Sequence, residues 1–184
     1  MLISNFCLTL LSLLIGVSAA HADLVETVES TPAVIDHLKE VQSQTVEMAL
    51  VVEKWNGDIL DAIAILTASD SLLKAIDDGT DTARDLPKKM TTRQAIKVKR
   101  ATKELLKHIK SSLGTIARSK PLFDHAGLTS TMMSKLEETK EGAEKLIAAI
   151  VDKLRVGKGI GRKLGRKISA AFDYAIEEFS KEEP

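Results

Sequence analysis

Trp55 to Gly79 is the stretch that decides the fold, and it reads WNGDILDAIAILTASDSLLKAIDDG. Its apolar residues recur at helical spacing, and Asn56-Gly57 followed by Asp58 supplies a turn and an N-cap just before them. Gly79 stands where a left-handed residue would end the helix. The apolar residues cover most sides of this segment, so it needs neighbours on several sides. The pattern predicts the central helix of an all-α bundle, running from Asp58 to Gly79.

The remaining apolar patterns predict further helices around this one. Thr31-Pro32 is typical of an N-cap followed by a proline in the first turn. A heptad seam then recurs at alternating spacings of four and three, through Val34, Leu38, Val41, Thr45, Met48, Val52 and Trp55. Three later helices are predicted. The first starts with a capping box at Thr91 to Gln94 and ends near Ser119, the second spans Leu128 to Leu154, and the third spans Ile160 to Phe179. We expect a single-domain bundle of about five helices, whose centre is either filled by side chains or left as an apolar tunnel.

Residues 1–22 have the features of a secretory signal peptide. Phe6 to Val17 is an apolar run of suitable length, and Ala20-His21-Ala22 is a small-residue cleavage site. The run is too short for a comfortable transmembrane helix. We therefore expect the domain at residues 23–184 to be secreted. It would have no disulfide, because Cys7 is the single cysteine, and no C-terminal lipid anchor.

Opposite charges sum to zero but lie in different parts of the chain. Residues 23–90 carry fourteen acidic and six basic residues, whereas residues 91–167 carry seven acidic and nineteen basic ones. This separation either lets acidic and basic helices attract one another or leaves a charged face for a partner. The basic face of the third helix consists of Arg93, Lys97, Lys99, Arg100, Lys103, Lys107 and Lys110. Nucleic acid is a poor candidate, because aromatic residues for stacking are few and the chain is predicted to be exported.

Motifs for catalysis or metal binding are not found. The sequence has no G-x-S-x-G elbow and no H-E-x-x-H pair, and His37, His108 and His125 lie on separate elements. The glycine-rich run from Val156 to Lys167 lacks phosphate-loop spacing and follows no strand. We interpret that run as a flexible loop or a frayed helix start with a solvated basic face. The sequence predicts no catalytic residue, no metal, no cofactor and no enzymatic activity.

Hydroxyl side chains interrupt the apolar faces at six positions. They are Thr45, Thr67, Ser69, Ser71, Thr102 and Thr139. In a plain bundle such hydroxyls donate to the carbonyl oxygen one turn earlier. In a lipid carrier some of them contact a carboxylate instead. The residues alone leave both interpretations open.

Three blocks of residues carry a resemblance to a known family. The first is Trp55-Asn56-Gly57-Asp58 with 65–72, 75–76 and 79–80, the second is 119–123 with 126–127, and the third is 148–150 with 153–154, 170–172 and 175–176. In this order the blocks resemble the fungal hydrophobic surface binding protein A family, also called the cell wall galactomannoprotein family. The likeness extends over nearly the whole predicted mature chain.

The resemblance implies a secreted helical bundle that adsorbs to hydrophobic surfaces or holds a long-chain fatty acid between its helices. It also implies association with the cell wall or with secreted hydrolases. Ligand contacts in the family are mostly apolar, and the block from Thr67 to Ser71 supplies a candidate polar contact. The residues predicted to contact a ligand are Met48, Val52, Ile63, Leu66, Thr67, Ser69, Leu73, Leu106, Ile109, Met132, Leu136, Leu146, Ile150 and Phe172.

Two alternatives to lipid binding follow from the same sequence. One is a cell-wall structural protein, a solid bundle that coats a wall or a hydrophobic substrate. The other is a secreted effector whose basic face, Arg93 to Lys110, engages a host protein or an anionic membrane. Screening by salt would weaken a charge-driven contact, so salt dependence separates these alternatives.

Overall fold

Six α-helices and their connecting loops make up residues 18–181, the part of the chain that this computed structural model describes. The helices are α1 (Ser18–Lys54), α2 (Ala62–Asp85), α3 (Thr92–Arg118), α4 (Lys120–His125), α5 (Thr129–Lys153) and α6 (Lys158–Ser180). Strands are absent from residues 18–181, where extended pairing is limited to an isolated bridge between Met90 and Leu154. The predicted all-α fold is confirmed, and the short helix α4 adds to the five helices expected.

The five long helices pack in a closed ring. Helix α1 packs against α2 and α3, α5 packs against α2 and α6, and α3 packs against α6. Helix α4 contacts α3 and α5. Because each long helix has two neighbours in the ring, each turns an apolar stripe toward a shared middle.

The seam predicted on α1 is buried along its whole length, from Val34 to Trp55. The start of α1 differs from the prediction, because the helix already runs from Ser18 and contains Pro32 in its interior. The residues before Pro32 are rich in helix formers such as Ala and Glu, so the chain is helical on both sides of the proline. Residues 1–17 of the predicted signal peptide lie outside the described residues.

Helix α2 is a member of the ring rather than its central helix. Asp58 caps a turn instead of the helix, since its Oδ1 accepts a hydrogen bond from the Leu60 N–H at 2.8 Å, and α2 begins only at Ala62. Gly79 does not end the helix, which continues to Asp85. A Cβ on Gly79 would lie 3.3 Å from the Cβ of His37. The glycine therefore permits a close approach of α1 to α2.

The start of α3 agrees with the sequence. Thr91 Oγ1 accepts a hydrogen bond from the Gln94 N–H at 3.3 Å, and Gln94 Oε1 accepts one from the Thr91 N–H at 2.7 Å. These two bonds form the predicted capping box. Helix α3 ends at Arg118, and Gly127, with φ +68°, makes the turn that leads into α5.

Three aromatic side chains close one end of the ring. The ring centroids of Trp55 and Phe123 are 4.7 Å apart, and those of Phe123 and Phe179 are 5.4 Å apart. All three residues are buried. The Trp55 indole N–H donates to the carbonyl oxygen of Asp58 at 2.6 Å, which satisfies its polar atom. The middle of the ring is therefore covered by aromatic side chains at this end.

Candidate functional site

Five of the six hydroxyls singled out in the sequence donate to a carbonyl oxygen one turn earlier, and two of these five, Thr67 and Ser71, are exposed on α2. The distances are 2.6 Å for Thr45, 2.9 Å for Thr67, 3.0 Å for Ser71, 2.9 Å for Thr102 and 2.7 Å for Thr139. Ser69 differs from them. It is 1% exposed, and its Oγ has no hydrogen-bond partner among residues 31–181, whose side chains are described. Such a hydroxyl destabilises the folded state by about 1–3 kcal/mol, so Ser69 is a candidate for a polar ligand contact.

A narrow apolar cavity lies in the middle of the ring. Its free volume is about 30 Å³, enough for one or two water molecules. All five ring helices line it, chiefly through Val41, Met48, Leu72, Ile76, Leu105, Ile109, Leu113, Ile116, Leu136, Leu146, Ile147, Ile168 and Phe172. Its polar lining consists of the side chains of Thr45, Ser112 and Thr139. We call this space the central cavity.

A second cavity continues the first toward the end of the ring where α3 and α6 begin. Its free volume is about 190 Å³, and α3, α5, α6 and the loop between the last two line it. On α3 the lining of the second cavity covers 92–102 and that of the central cavity covers 105–116. Ile147 lines both. The two cavities therefore lie end to end along the same helices, with Ile147 between them.

Gly161 and Gly165 let α6 approach α5 closely beside these cavities. A Cβ on Gly161 would lie 2.6 Å from Val151 Cγ2, and a Cβ on Gly165 would lie 2.9 Å from Ile147 Cγ2. The prediction of a flexible loop or frayed start is wrong here, because α6 is helical from Lys158 onward. The spacing of four residues places both glycines on the face toward α5, which is the physical reason for glycine at these two positions of the run.

The second cavity opens at the surface between α3 and α6. Ile96, Val156 and Ile160 surround the opening and are 56%, 48% and 44% exposed. The side chain of Lys99 also lines it. The opening therefore combines exposed apolar side chains with a cation.

Cations dominate the surface around this opening. Residues 93–110 carry seven cations and one carboxylate, and residues 155–167 carry six cations and no carboxylate. Lys107 pairs with Glu104 at 2.9 Å, and within residues 31–181 none of the other twelve cations forms an ion pair. The charge separation predicted from the sequence thus produces an exposed basic surface on α3 and α6.

Three ion pairs connect α5, one of the three helices that line both cavities, to its surroundings. They are Lys135–Asp70 at 2.9 Å, Lys140–Asp173 at 2.6 Å and Lys89–Asp152 at 3.0 Å. The hydrogen bond that Lys135 donates to Asp70 raises the pKa of Lys135, and the bond that Lys140 donates to Asp173 raises the pKa of Lys140. Because the Lys135–Asp70 and Lys140–Asp173 pairs are partly exposed, each contributes at most about 1 kcal/mol, and Lys89–Asp152 is more exposed still.

A sequence model described as hydrophobic surface binding protein A matches residues 31–152. The chain belongs to the hydrophobic surface binding protein A family. It is similar to the crystal structure of Afmp4p in complex with palmitic acid, with a TM-score of 0.79 and 25% identity, covering 82% of this chain and 99% of that chain.

Two domains of the MP1 protein of Penicillium marneffei share the fold of this family member. Ligand binding domain 1, complexed with arachidonic acids, has a TM-score of 0.76 and 17% identity, covering 84% of this chain and 99% of that one. Ligand binding domain 2, complexed with multiple arachidonic acids, has a TM-score of 0.75 and 20% identity, covering 84% of this chain and 97% of that one. A comparison with curated proteins found no significant match.

The ligand contacts predicted from the family resemblance fall into three groups in the structure. Met48, Ile109, Leu136, Leu146 and Phe172 line the central cavity, and Ile150 lines the second cavity. Val52, Ser69, Leu106 and Met132 are buried and Leu73 is half-buried, but none of them lines either cavity. Ile63, Leu66 and Thr67 lie on the surface of α2 and line neither cavity. The structure separates these three from the others because the buried stripe of α2 runs through Ile65, Ala68 and Leu72.

Sequence reasoning missed the residues at the junction and at the opening. Ile147, between the cavities, is adjacent to the stripe that marks Leu146 and Ile150, so a wider stripe would have included it. Lys99 and Ile160 lie at the opening, and only the packing of α3 against α6 brings them together. Within residues 18–181 no helix is long and apolar enough to cross a membrane, and no group of three or more His, Cys, Asp or Glu is placed to hold a metal ion.

Proposed function

We propose that this family member is a secreted, non-enzymatic protein that holds a long-chain fatty acid between its helices. The observation that carries the proposal is the pair of apolar cavities aligned end to end inside a closed ring, one of them open at the surface. The similarity at 25% identity to a protein solved with palmitic acid supports the same ligand class. Secretion is proposed from the predicted signal peptide at residues 1–22.

Burial of the acyl chain supplies the affinity. Each buried methylene contributes about 0.8 kcal/mol, so a chain of about sixteen carbons offers roughly 12 kcal/mol before the opposing terms. Lost translational freedom and ordering of the chain remove about half of this or more. The remainder, about 6 kcal/mol or less, corresponds to a dissociation constant of tens of micromolar or weaker, without a strong polar anchor.

The cavities must widen when a chain is bound. Sites for ligands of this size enclose about 300–1,000 Å³, which exceeds the free volumes of about 30 and 190 Å³. Met48 is unbranched and adapts its shape readily. Ile147 lies across the path between the two cavities. We therefore expect binding to move these two side chains while the ring of helices stays closed.

Ser69 is our proposed contact for the carboxyl group. It lies on α2 one turn before Leu72, which lines the central cavity on the side of the aromatic cluster. Its unpartnered hydroxyl can donate to a carboxyl oxygen of the ligand. The acyl chain would then extend along the central cavity toward Ile147 and the second cavity.

Native mass spectrometry of the full chain, secreted from an expression host without added lipid, tests the proposal. We expect a fatty acid to co-purify at one per chain or more. Added palmitate at about a hundred times its dissociation constant should stabilise the delipidated protein by about 2.7 kcal/mol. For a chain of this size this raises the melting temperature by about 5 °C or more. Recovery of bare protein that palmitate does not stabilise would contradict the proposal.

Adsorption to a hydrophobic surface is a second candidate function, supported by a separate apolar patch. Ile59 and Leu60, just before α2, and Ile63 and Leu66, in its first turns, are 59%, 74%, 64% and 37% exposed. Side chains exposed to this extent in one cluster mark interaction surfaces. The patch would bring the protein to a waxy substrate, to the cell wall, or beside hydrolases that act there.

The double variant Leu60→Ser with Ile63→Ser separates the two functions. We expect it to stay in solution when the unaltered protein is depleted by hydrophobic beads, and to bind palmitate normally because neither residue lines a cavity. The double variant Leu50→Ser with Tyr174→Ser, which alters two exposed apolar residues on α1 and α6 that line neither cavity, is the matched control. Equal depletion of the first double variant and the unaltered protein would exclude the patch as the adsorbing surface.

A further inference from the structure

The surface around the opening repeats one arrangement of side chains on two helices. On α3, Ile96 is followed by Lys99 and Lys103, and on α6, Ile160 is followed by Lys163 and Lys167. The spacing of three and seven residues is the same in both, and it places each set on one face of its helix. All six side chains are exposed.

Helices α3 and α6 run in the same direction, so the two sets lie side by side. The first part of α3 and the first part of α6 line the second cavity, and later parts of both line the central cavity. Each set therefore presents its isoleucine near the opening and its lysines farther along the helix. Arg155 in the preceding loop adds a cation beside the exposed Val156.

We propose that this surface docks on an anionic lipid bilayer and brings the opening of the second cavity against the membrane. Lysines at a membrane surface are attracted to anionic headgroups. Exposed isoleucines between them insert into the headgroup region, as on amphipathic helices that lie in the interface. A fatty acid would then pass directly from the bilayer into the second cavity. This uptake step rests on the proposed function, the binding of a fatty acid between the helices.

Charge complementarity favours a bilayer over an acidic protein or a nucleic acid. The cations of α3 and α6 have almost no carboxylates among them, and the nearby Asp152 is already paired with Lys89. A polyanion in water would use the cations but would gain nothing from Ile96, Val156 and Ile160. A bilayer uses both features, and its acyl chains match the apolar cavity behind the opening.

Co-sedimentation of the full secreted chain with vesicles tests the docking. We expect binding to vesicles of phosphatidylcholine with phosphatidylserine, loss of that binding at high salt, and little binding to phosphatidylcholine alone. The double variant Lys99→Gln with Lys163→Gln should bind about ten-fold or more weakly. Lys54→Gln with Lys145→Gln makes the same change in net charge on α1 and α5 and should bind normally.

Equal binding to neutral vesicles, or equal binding by both double variants, would overturn the docking surface. Binding to duplex DNA or polyglutamate as tight as to anionic vesicles would also overturn it, in favour of a polyanion. Sedimentation needs no fatty acid in the protein, so its failure is distinct from failure to bind palmitate in buffer without vesicles.

Transfer of a fluorescent fatty acid from anionic vesicles tests the uptake step. The double variant Ile96→Ser with Ile160→Ser should slow transfer several-fold, whereas Ile59→Ser with Ile63→Ser, at the opposite end, should not. Unchanged transfer in the first double variant would overturn the link between docking and uptake.

Discussion

Ser69 is the residue whose hydroxyl should have opposite effects on stability and on ligand affinity. Thr45 and Thr139 are also buried, but each donates to the carbonyl oxygen one turn earlier. Ser69 makes no such bond within the described residues, so its hydroxyl loses its hydrogen bonds to water when the chain folds. The position destabilises the protein unless a ligand supplies an acceptor.

Replacing Ser69 with alanine should therefore change stability and affinity in opposite directions. Without ligand, Ser69→Ala should raise the free energy of unfolding by about 1 kcal/mol, because a buried unpartnered hydroxyl is removed. Affinity for palmitate should fall about five- to ten-fold through loss of one hydrogen bond. Urea denaturation and calorimetric titration measure the two effects. The control Thr139→Ala removes a bonded hydroxyl and should lower stability, and a gain in palmitate affinity by Ser69→Ala would exclude the proposed contact.

The carboxylate of Asp124, at the aromatic end of the ring, should make the stability of the protein depend on pH. Its carboxylate accepts hydrogen bonds from Lys120 Nζ at 2.5 Å and from the Thr129 hydroxyl, and these bonds lower its pKa. The stabilisation is therefore present above the unfolded-state pKa of about 3.9 and is lost as the pH falls through the lower folded-state value.

Asp124→Asn should reduce stability by about 1 kcal/mol at neutral pH. The difference from the unaltered protein should shrink at acid pH, where both carry a neutral group at this position. Thermal unfolding across the acid range measures it. Asp77→Asn, an exposed carboxylate on α2, is the control for net charge. A difference that is independent of pH would show that the ion pair is not the cause.

At the scale of an element, α6 shows what a sequence pattern can and cannot reveal. Its apolar stripe from Ile160 to Phe179 is visible in the sequence, and the helix was predicted from it. The role of Gly161 and Gly165 is not visible in the sequence, because glycine has low helix propensity. These glycines matter here because they allow close contact with Val151 and Ile147 of another helix. Such contacts depend on which helices pack against each other, and the sequence of a single helix does not determine its neighbours.

Alanine substitutions in α6 test this role of glycine. Gly161→Ala should lower stability by about 1–2 kcal/mol, since the new methyl group overlaps Val151 and overpacking of this kind costs about 1–3 kcal/mol. Gly159→Ala is the matched control, because no atom lies within 4 Å of a Cβ there, and it should be neutral or slightly stabilising. Denaturation midpoints in urea compare the two. Equal effects of both substitutions would mean that close contact with α5 does not matter.

At the scale of the whole molecule, the class of fold follows from the sequence but the closure of the ring does not. The seam of α1, the capping box of α3 and the start of α5 could each be predicted because local spacing and capping determine them. The exposure of Ile63 could not, since an apolar residue on a helix is buried only if a neighbour covers it. The cavities depend in the same way on the distances among five helices, and Ile147 divides them only because α6 approaches α5 so closely.

Removing the side chain of Ile147 should join the two cavities and change which fatty acids the protein prefers. In Ile147→Ala the path from the central cavity to the second cavity loses the side chain that lines both. Longer chains could then bury further methylenes, each contributing about 0.8 kcal/mol. We expect the affinity for behenate relative to palmitate to rise about ten-fold or more, as measured by calorimetric titration. Leu146→Ala, which enlarges the central cavity alone, is the matched control because its loss of stability should be similar, about 2–5 kcal/mol. The same relative affinity in both variants would show that Ile147 is not the barrier between the cavities.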